Sequence, residues 1–248
     1  MKIVTILKQV PDAESRVRLK DGMIDLAGVT CVIDGMDEYG VEQALRLRES
    51  GVEAEVVALG YGARDSEQAL RTALAMGADR AVLLEGETVM DPLSLAFLLA
   101  GVVEEEAAEL VLVGGKQADW DSAALGPAVA EVLGWPHVDW TTAFSLEGDR
   151  FEAVHDTDRG NETLAGGLPV VITTQQGLNE PRYPTLPNIM KAKRKPFEVR
   201  TVATPESLVA TRGYTAVERE RRRELLEGEP TEVAAELVRR LRDEAKVL

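Results

Sequence analysis

Short apolar runs alternate with helical patterns through the first 115 residues, and this alternation constrains the fold more than any other feature of the sequence. The runs have the length and β-branched character of buried strands and lie at residues 2–7, 54–60, 80–84 and 109–115. The helical patterns lie between them, at residues 37–50, 65–77 and 91–107. Strands joined through helices favour right-handed crossovers, which build a parallel sheet covered on both faces. The sequence therefore predicts an α/β fold of the nucleotide-binding type.

Two of the helices carry start and stop signals. In the second helix, Asp65 is predicted to be the N-cap, with Gln68 three residues later, and Gly77 is predicted to end the helix. In the third, Asp91 is predicted to cap a helix that has Pro92 at its first position, where a missing N–H group costs nothing.

The pattern changes after Trp135. Residues 141–154 are predicted to form a hairpin that turns at residues 147–149, and residues 168–174 form another buried strand. From Asn179 onward, closely spaced prolines exclude a long regular element. We therefore divide the chain into an α/β domain at residues 1–195 and an extended C-terminal arm at residues 196–248, which begins with a short strand and ends in an amphipathic helix.

Composition excludes several classes of protein. The formal net charge of −15 argues against a nucleic-acid binder, because binding to phosphates relies on accumulated Lys and Arg. No apolar run approaches the roughly 18 residues of a membrane span, and the N-terminus turns polar too early for a signal peptide, so a cytoplasmic protein without membrane insertion is predicted. One cysteine and two histidines provide neither a disulfide nor the ligands of a structural zinc site, and both histidines are predicted to be structural.

A loop after the fourth strand, residues 114–127, is the candidate ligand site, since open parallel sheets bind ligands beyond the carboxyl ends of their strands. Its paired glycines allow close approach of the backbone, Ser122 is predicted to open the next helix, and Lys116 adds a positive charge. The chain has no Walker A loop and no G-x-G-x-x-G motif, so an ordinary strand-to-helix turn is the alternative. No nucleophile elbow, zinc signature or compact Ser/His/Asp group is visible. A binding protein without catalytic residues of its own is predicted.

Three segments together resemble a known family. "NEPRYPTLPNIMKAKRK" at residues 179–195 is similar to the signature of the β subunit of electron transfer flavoprotein, and "RTALAMGADRAVLL" and "GGKQA" resemble that family in the right order. The similarity covers residues 2 to about 202. It implies an adenine nucleotide α-hydrolase-like fold and a heterodimer with an α subunit that the C-terminal arm contacts. It also implies transfer of electrons from acyl-CoA and related dehydrogenases to a membrane quinone oxidoreductase, with FAD mainly in the α subunit and a structural AMP in the β subunit.

The resemblance implies a set of AMP-binding residues at the ends of the strands. They are Ile6; Asp34, Gly35, Met36 and Asp37; Tyr61 and Gly62; Gly115, Lys116, Gln117 and Ala118; and Asp121, Ser122, Ala123, Ala124 and Leu125. The loop here, "GKQADWDSAALGP", is about one residue shorter than is common in the family. The resemblance therefore leaves the donors to the phosphate open and does not place Asp119 or Trp120.

The same resemblance makes residues 181–195 a recognition loop for dehydrogenases. Leu186 would insert into an apolar pocket on the partner, surrounded by Tyr183, Pro187, Ile189, Met190 and Lys191. Lys191, Lys193, Arg194 and Lys195 would attract acidic partners, or would be a solvated helix end. In the alternative, Leu186, Ile189 and Met190 are ordinary helix residues packed on the body of the protein. Glu162 matches a family residue that helps to orient the mobile flavin domain through a polar contact.

Three other functions stay open at this point. A bifurcating relative would hold a second FAD in place of AMP and take hydride from NADH. A stand-alone ATP-binding protein or nucleotide-dependent enzyme of similar fold would work without a partner. If the chain is a scaffold, its adenine site would contribute only to its stability.

Overall fold

A nine-stranded sheet runs through the part of the chain that the structure describes, which in this computed structural model comprises residues 1–86, 91–203, 207–217 and 223–248. The strands are β1 (Lys2–Leu7), β2 (Gln9–Pro11), β3 (Arg18–Lys20), β4 (Met23–Asp25), β5 (Cys31–Ile33), β6 (Glu55–Gly62), β7 (Arg80–Glu85), β8 (Leu110–Gly114), β9 (His137–Glu147), β10 (Arg150–Thr157), β11 (Gly160–Gly167), β12 (Val170–Thr174) and β13 (Phe197–Thr201). The α-helices are α1 (Gly35–Glu49), α2 (Glu67–Met76), α3 (Pro92–Glu105), α4 (Leu125–Leu133), α5 (Leu186–Ala192) and α6 (Pro230–Asp243).

The strand order in the sheet is β11-β10-β9-β12-β8-β1-β6-β7-β13. All neighbours from β9 to β13 in this order pair in parallel, and β10 and β11 extend one edge as an antiparallel meander. In β1, Ile3 lies opposite Val56 on one side and Leu110 on the other. Two short ribbons, β2 with β5 and β3 with β4, stand outside the sheet.

Helices cover both faces of the sheet, because successive side chains of a strand point to opposite faces. Ile3 and Val4 are both fully buried, yet they belong to different apolar clusters. The cluster of Ile3 contains residues of α1 and α2, and the cluster of Val4 contains residues of α3 and α4. The prediction of an α/β fold with a parallel sheet between two layers of helices is confirmed.

The ends of the helices agree only in part with the prediction. Asp91 caps α3, since its carboxylate accepts hydrogen bonds from the backbone N–H groups of Leu93 and Ser94, and Gly77 is the C-cap of α2 at a φ of 149°. Asp65 as the N-cap of α2 is wrong. It lies inside a 3-10 turn from Arg64 to Ser66, where the backbone lacks the extended conformation of an N-cap.

The added hairpin is confirmed and is larger than predicted. β9 and β10 are joined at Gly148 and Asp149, as the sequence indicated, and β11 then pairs with β10 along its whole length. Residues 170–174 form the fully buried β12 between β9 and β8. The meander thus continues the edge of the parallel sheet.

The C-terminal part of the chain forms a second compact unit. β13 pairs in parallel with β7 as the outer strand of the main sheet, so the first compact unit runs from Met1 to Gly213 and the second from Tyr214 to Leu248. The second unit contains α6, which has no buried residue. Residues 218–222 of the charged stretch before α6 lie outside the described residues. Among the described residues, no helix combines the length and the apolar character needed to cross a membrane.

Candidate functional site

The carboxyl ends of β1, β6 and β8 meet at one edge of the sheet, next to the start of α1. β1 ends at Leu7, β6 at Gly62 and β8 at Gly114, and parallel pairing brings these ends together. The amino-terminal end of α1 carries a partial positive charge and unpaired N–H groups. Most of the residues that the resemblance implied lie just after these strand ends or at the start of α1, whereas Ile6 and Leu125 are buried in the apolar cluster of α3 and α4.

Asp37 ties two of the strand ends together. Its carboxylate is buried, and it accepts hydrogen bonds from the backbone N–H of Lys8 at 2.7 Å and from that of Gly114 at 2.8 Å. A Cβ atom added at Gly114 would lie 2.6 Å from Asp37 Oδ1, so this approach requires glycine. Burial raises the pKa of Asp37 well above its ordinary value, and the neighbouring charge of Asp34 raises it further.

Asp34 links α1 to the loop after β8. One carboxylate oxygen caps α1 by accepting from the N–H of Met36 at 2.9 Å, and the other accepts from the N–H of Ala118 at 2.7 Å. Burial raises the pKa of Asp34. The loop is thereby fixed against the start of α1, and the N–H of Ala118 is used inside the protein.

Lys8, Asp119 and Trp120 form a cluster that sequence reasoning missed. Lys8 Nζ donates to both carboxylate oxygens of Asp119 at 2.7 Å and lies 3.5 Å from the centroid of the Trp120 ring. Burial lowers the pKa of Lys8, although the Asp119 carboxylate opposes this effect. The signal that could have indicated the cluster is a lysine directly after a buried strand, facing a loop that contains an aspartate.

The loop from Gly115 to Ala124 is compact and partly buried. Gln117 is buried and donates from Nε2 to the carbonyl of Gly114 at 3.3 Å, whereas its Oε1 has no hydrogen-bond partner among the described residues. Lys116 pairs with Asp121 at 2.5 Å. Both Asp121 and Ala123 have positive φ angles, 52° and 51°. The loop therefore folds on itself through a local ion pair and tight turns.

Ser122 as the first residue of the next helix is wrong. α4 starts at Leu125, its N-cap is Ala124, and no side chain caps its first N–H groups. Alanine offers no side-chain oxygen at this position and Pro127 has no N–H, so the N–H groups of Leu125 and Gly126 are the ones that no side chain caps. Ser122 itself is exposed, and Leu125 is buried.

Two clefts open at this edge. The larger, about 420 Å³, is lined by Asp34, Gly35, Met36, Lys116 and Ala118, together with residues of α1 and of the segment 181–184. The smaller, about 260 Å³, is lined by Tyr61, Gly62, Lys8, Asp119 and Trp120, among others. Seven of the implied nucleotide residues therefore line one cleft or the other, whereas the residues from Asp121 to Leu125 line neither. Gly115, Gln117 and Asp37 lie buried behind them.

The segment 181–195 exposes apolar side chains to solvent. Tyr183 is 94% exposed, Leu186 74%, Met190 56% and Ile189 42%. Leu186 begins the short helix α5, in which Ala192 is the buried residue. These side chains are helix residues, as the alternative interpretation held, but they are not packed on the body of the protein. Pro187 and Lys191 are exposed as well.

Both ends of this segment are fixed to the helices beneath it. Arg182 donates to the buried carboxylate of Glu42 at 2.8 Å and to that of Glu49 at 2.6 Å, both on α1. At the other end, Lys195 Nζ donates to the carbonyl oxygens of Leu74 at 2.9 Å and Ala78 at 2.5 Å. Lys195 therefore does not contribute to a free basic patch, because it satisfies carbonyl groups at the end of α2. Lys191, Lys193 and Arg194 are exposed.

Glu162 is an exposed residue of β11, at the outer edge of the meander, where it lies opposite His155. β11 pairs only with β10 in the sheet, whereas the loops at the carboxyl edge follow β1, β6 and β8. Among the described residues, no group of three or more His, Cys, Asp or Glu side chains is placed to hold a metal ion.

Comparison with known proteins gives a consistent result. The family model described as "Electron transfer flavoprotein domain" matches residues 22–205. The electron transfer flavoprotein subunit beta of Syntrophomonas wolfei is 36% identical over 247 residues, which cover 100% of this chain and 98% of that protein. The corresponding subunit of Bradyrhizobium diazoefficiens is 41% identical over 205 residues, 82% of each chain. The human subunit is 38% identical over 205 residues, 80% of each chain.

Proposed function

The chain belongs to the electron transfer flavoprotein family as a β subunit, and from this membership we propose that it binds AMP at the carboxyl edge of its sheet and presents Leu186 to electron-donating dehydrogenases. Subunits of this kind serve electron transfer together with an α subunit. In the proposal, the α subunit carries the FAD, which supplies the one-electron chemistry, and the heterodimer passes electrons to a quinone oxidoreductase. This chain supports the FAD-bearing α subunit and recognises the dehydrogenases, and it has no catalytic residues of its own.

The residues at the carboxyl edge fit an adenine nucleotide. The larger cleft, about 420 Å³, falls within the range of about 300–1,000 Å³ that is typical of small-molecule sites. The uncapped first turn of α4 offers backbone N–H groups to a phosphate.

The charges at the edge favour a ligand of modest negative charge. Lys8 and Lys116 are already paired with Asp119 and Asp121. A phosphate that approaches either lysine therefore competes with a carboxylate of the protein. For this reason we assign the phosphate to the start of α4. Lys8 and Lys116 stay paired with their carboxylates nearby.

The exposure of Leu186 is the observation that carries the docking proposal. The side chain is 74% exposed, while the segment around it is anchored through Arg182 and Lys195. Anchoring reduces the entropy that must be lost on binding. Complete burial of one leucine contributes about 1.5–3 kcal/mol, or about ten- to a hundredfold in affinity. This amount suits a carrier that binds a dehydrogenase and then leaves it. Glu162 is proposed to orient the flavin domain by a polar contact.

The nucleotide content of the purified heterodimer tests the AMP proposal. After co-expression with its α subunit and denaturation, the complex should release one AMP for each FAD, measured by chromatography and absorbance. Two FAD molecules and no AMP would contradict the proposal and indicate the bifurcating alternative. Turnover of ATP by the isolated chain would favour a stand-alone enzyme.

Substitution of Leu186 tests the docking proposal. For Leu186→Ala, the KM for the heterodimer in flavin reduction by an acyl-CoA dehydrogenase should rise by about ten- to a hundredfold. Leu186→Met, which keeps the apolar volume, should retain most of the activity. The AMP and FAD content should be unchanged in both variants. An unaltered KM for Leu186→Ala would refute the docking role.

A further inference from the structure

The larger cleft at the carboxyl edge touches both the nucleotide residues and the segment that presents Leu186. Residues 34–36 at the start of α1 line it, together with Lys116 and Ala118 of the loop after β8. Residues 181–184 line the same cleft, and Leu186 follows them by two positions. We call residues 181–195 the docking segment. A ligand that fills the cleft, which holds about 420 Å³, therefore contacts the docking segment as well.

Glu38 of α1 places an unsatisfied carboxylate at this cleft. Its side chain is half-buried and belongs to the lining. Within the described parts of the chain, the carboxylate accepts no hydrogen bond and forms no ion pair, and burial raises its pKa, with a further contribution from the negative charge of Asp34. A half-buried acceptor without a donor is costly, so a ligand that donates a hydrogen bond to Glu38 removes this cost.

The charges of the lining indicate which end of a nucleotide faces Glu38. Asp34 is only 2% exposed, and its carboxylate already accepts the N–H groups of Met36 and Ala118. Two carboxylates on the first turn of α1 repel a phosphate from this part of the cleft. The amino group of adenine and the hydroxyls of ribose are hydrogen-bond donors, so the nucleoside end suits Glu38. This orientation agrees with the assignment of the phosphate to the start of α4.

Tyr183 offers an aromatic ring to the same ligand. It lines the cleft and is 94% exposed, so almost all of its surface is available for contact. It follows Arg182, which is held on α1 by ion pairs with Glu42 and Glu49. The backbone that carries the ring is therefore fixed beside the cleft. Aromatic side chains stack on nucleobases, and an adenine in the cleft can bury one face of Tyr183.

We propose that the nucleoside of the bound AMP lies between Glu38 and Tyr183, and that this contact couples nucleotide binding to the docking of dehydrogenases at Leu186. The inference rests on the proposed function. AMP that contacts the docking segment reduces the freedom that this segment loses when a dehydrogenase binds. Linkage is reciprocal, so a docked dehydrogenase strengthens the binding of AMP by the same factor. AMP then contributes to partner recognition as well as to the fold.

The wild-type heterodimer tests the coupling without any substitution. Saturating acyl-CoA dehydrogenase should lower the dissociation constant of AMP by about fivefold or more, measured by equilibrium dialysis with radiolabelled AMP. An unchanged dissociation constant would overturn the coupling and leave the binding of AMP itself intact. A heterodimer that binds no AMP would instead contradict the proposed function, and this inference with it. The two failures therefore give different results in one experiment.

Substitutions in the heterodimer test the placement of the nucleoside. Glu38→Ala should raise the dissociation constant of AMP by about tenfold or more, because a hydrogen bond to a charged group is lost. Tyr183→Ala should also raise it and should reduce the effect of the dehydrogenase on AMP, whereas Tyr183→Phe keeps the ring and should preserve both. The matched control is Glu104→Ala, at an exposed glutamate of α3, which should bind AMP like the wild type. Wild-type binding of AMP by both Glu38→Ala and Tyr183→Ala would overturn the placement.

Discussion

Glu106 is the residue whose ionisation is tied most directly to the stability of the sheet. It follows α3 and lies at the amino ends of β1 and β7, where Arg80 Nη1 donates to it at 2.9 Å and Lys2 Nζ at 3.1 Å. Its side chain is largely buried. The hydrogen bonds from Arg80, followed by those from Lys2, lower the pKa of Glu106 from about 4.5 to about 2. Its carboxylate therefore stabilises the folded state above about pH 4.5.

We predict that Glu106→Gln lowers the free energy of unfolding at neutral pH by about 1.5–3 kcal/mol, the range for hydrogen bonds to charged groups. Since the folded-state pKa is depressed, the contribution of Glu106 is lost as the pH falls from about 4.5 towards about 2. The difference in urea midpoint between wild type and variant should therefore shrink in acid. Glu105→Gln, at an exposed neighbour, should change stability by less than about 0.5 kcal/mol. An equal difference in urea midpoint between wild type and Glu106→Gln at every pH would contradict this assignment.

The residues of the site were predicted together as a set, but the contacts that each residue makes were not predicted. Asp34 and Asp37 follow from the family resemblance, yet only the structure shows that they bind backbone N–H groups of Ala118, Lys8 and Gly114. Lys195 was grouped with the other basic residues of its segment, because a sequence does not reveal which lysine lies next to unpaired carbonyl groups. These pairings join residues that lie between 29 and 121 positions apart in the sequence.

At the scale of elements, α2 and α3 begin differently although an aspartate precedes both. Asp91 accepts from two N–H groups of α3 and from the Ser94 hydroxyl, whereas Asp65 lies in a 3-10 turn and makes no capping hydrogen bond. Asp91→Ala should cost about 1–2 kcal/mol of stability, the range for lost N-caps. Asp65→Ala should change stability by less than about 0.5 kcal/mol. Thermal unfolding of the two variants measures these changes in stability. An equal loss of stability in both variants would contradict the difference between the two helix starts.

The elements themselves could largely be predicted from the sequence. The first four predicted strands correspond to β1, β6, β7 and β8, and they occur within about two residues of the expected positions. Their sequences are short and apolar throughout, which is the pattern of a strand buried on both faces. β11 was missed because its residues are mostly exposed and polar, so no apolar alternation marks it. β13 was recognised as a strand, but its partner was not, since its pairing with β7 spans a long stretch of chain.

At the scale of the whole molecule, the two faces of the sheet differ in the side chains that they expose. The face with α1, α2 and α5 presents Leu186, and the helix α3 on the other face exposes Leu93 and Phe97. An electron carrier needs one partner that stays and others that exchange. Small anchored contacts suit the second kind of partner, and larger apolar surfaces suit the first.

The pairing of β13 with β7 has a consequence for biosynthesis. On the ribosome, β7 emerges with one edge unpaired, and the strand that covers this edge is translated only after roughly a hundred further residues. During that interval the nascent chain offers an open row of N–H and C=O groups to any other extended polypeptide. The edge of β7 is therefore the part of the nascent sheet that is open to pairing with another chain until β13 covers it.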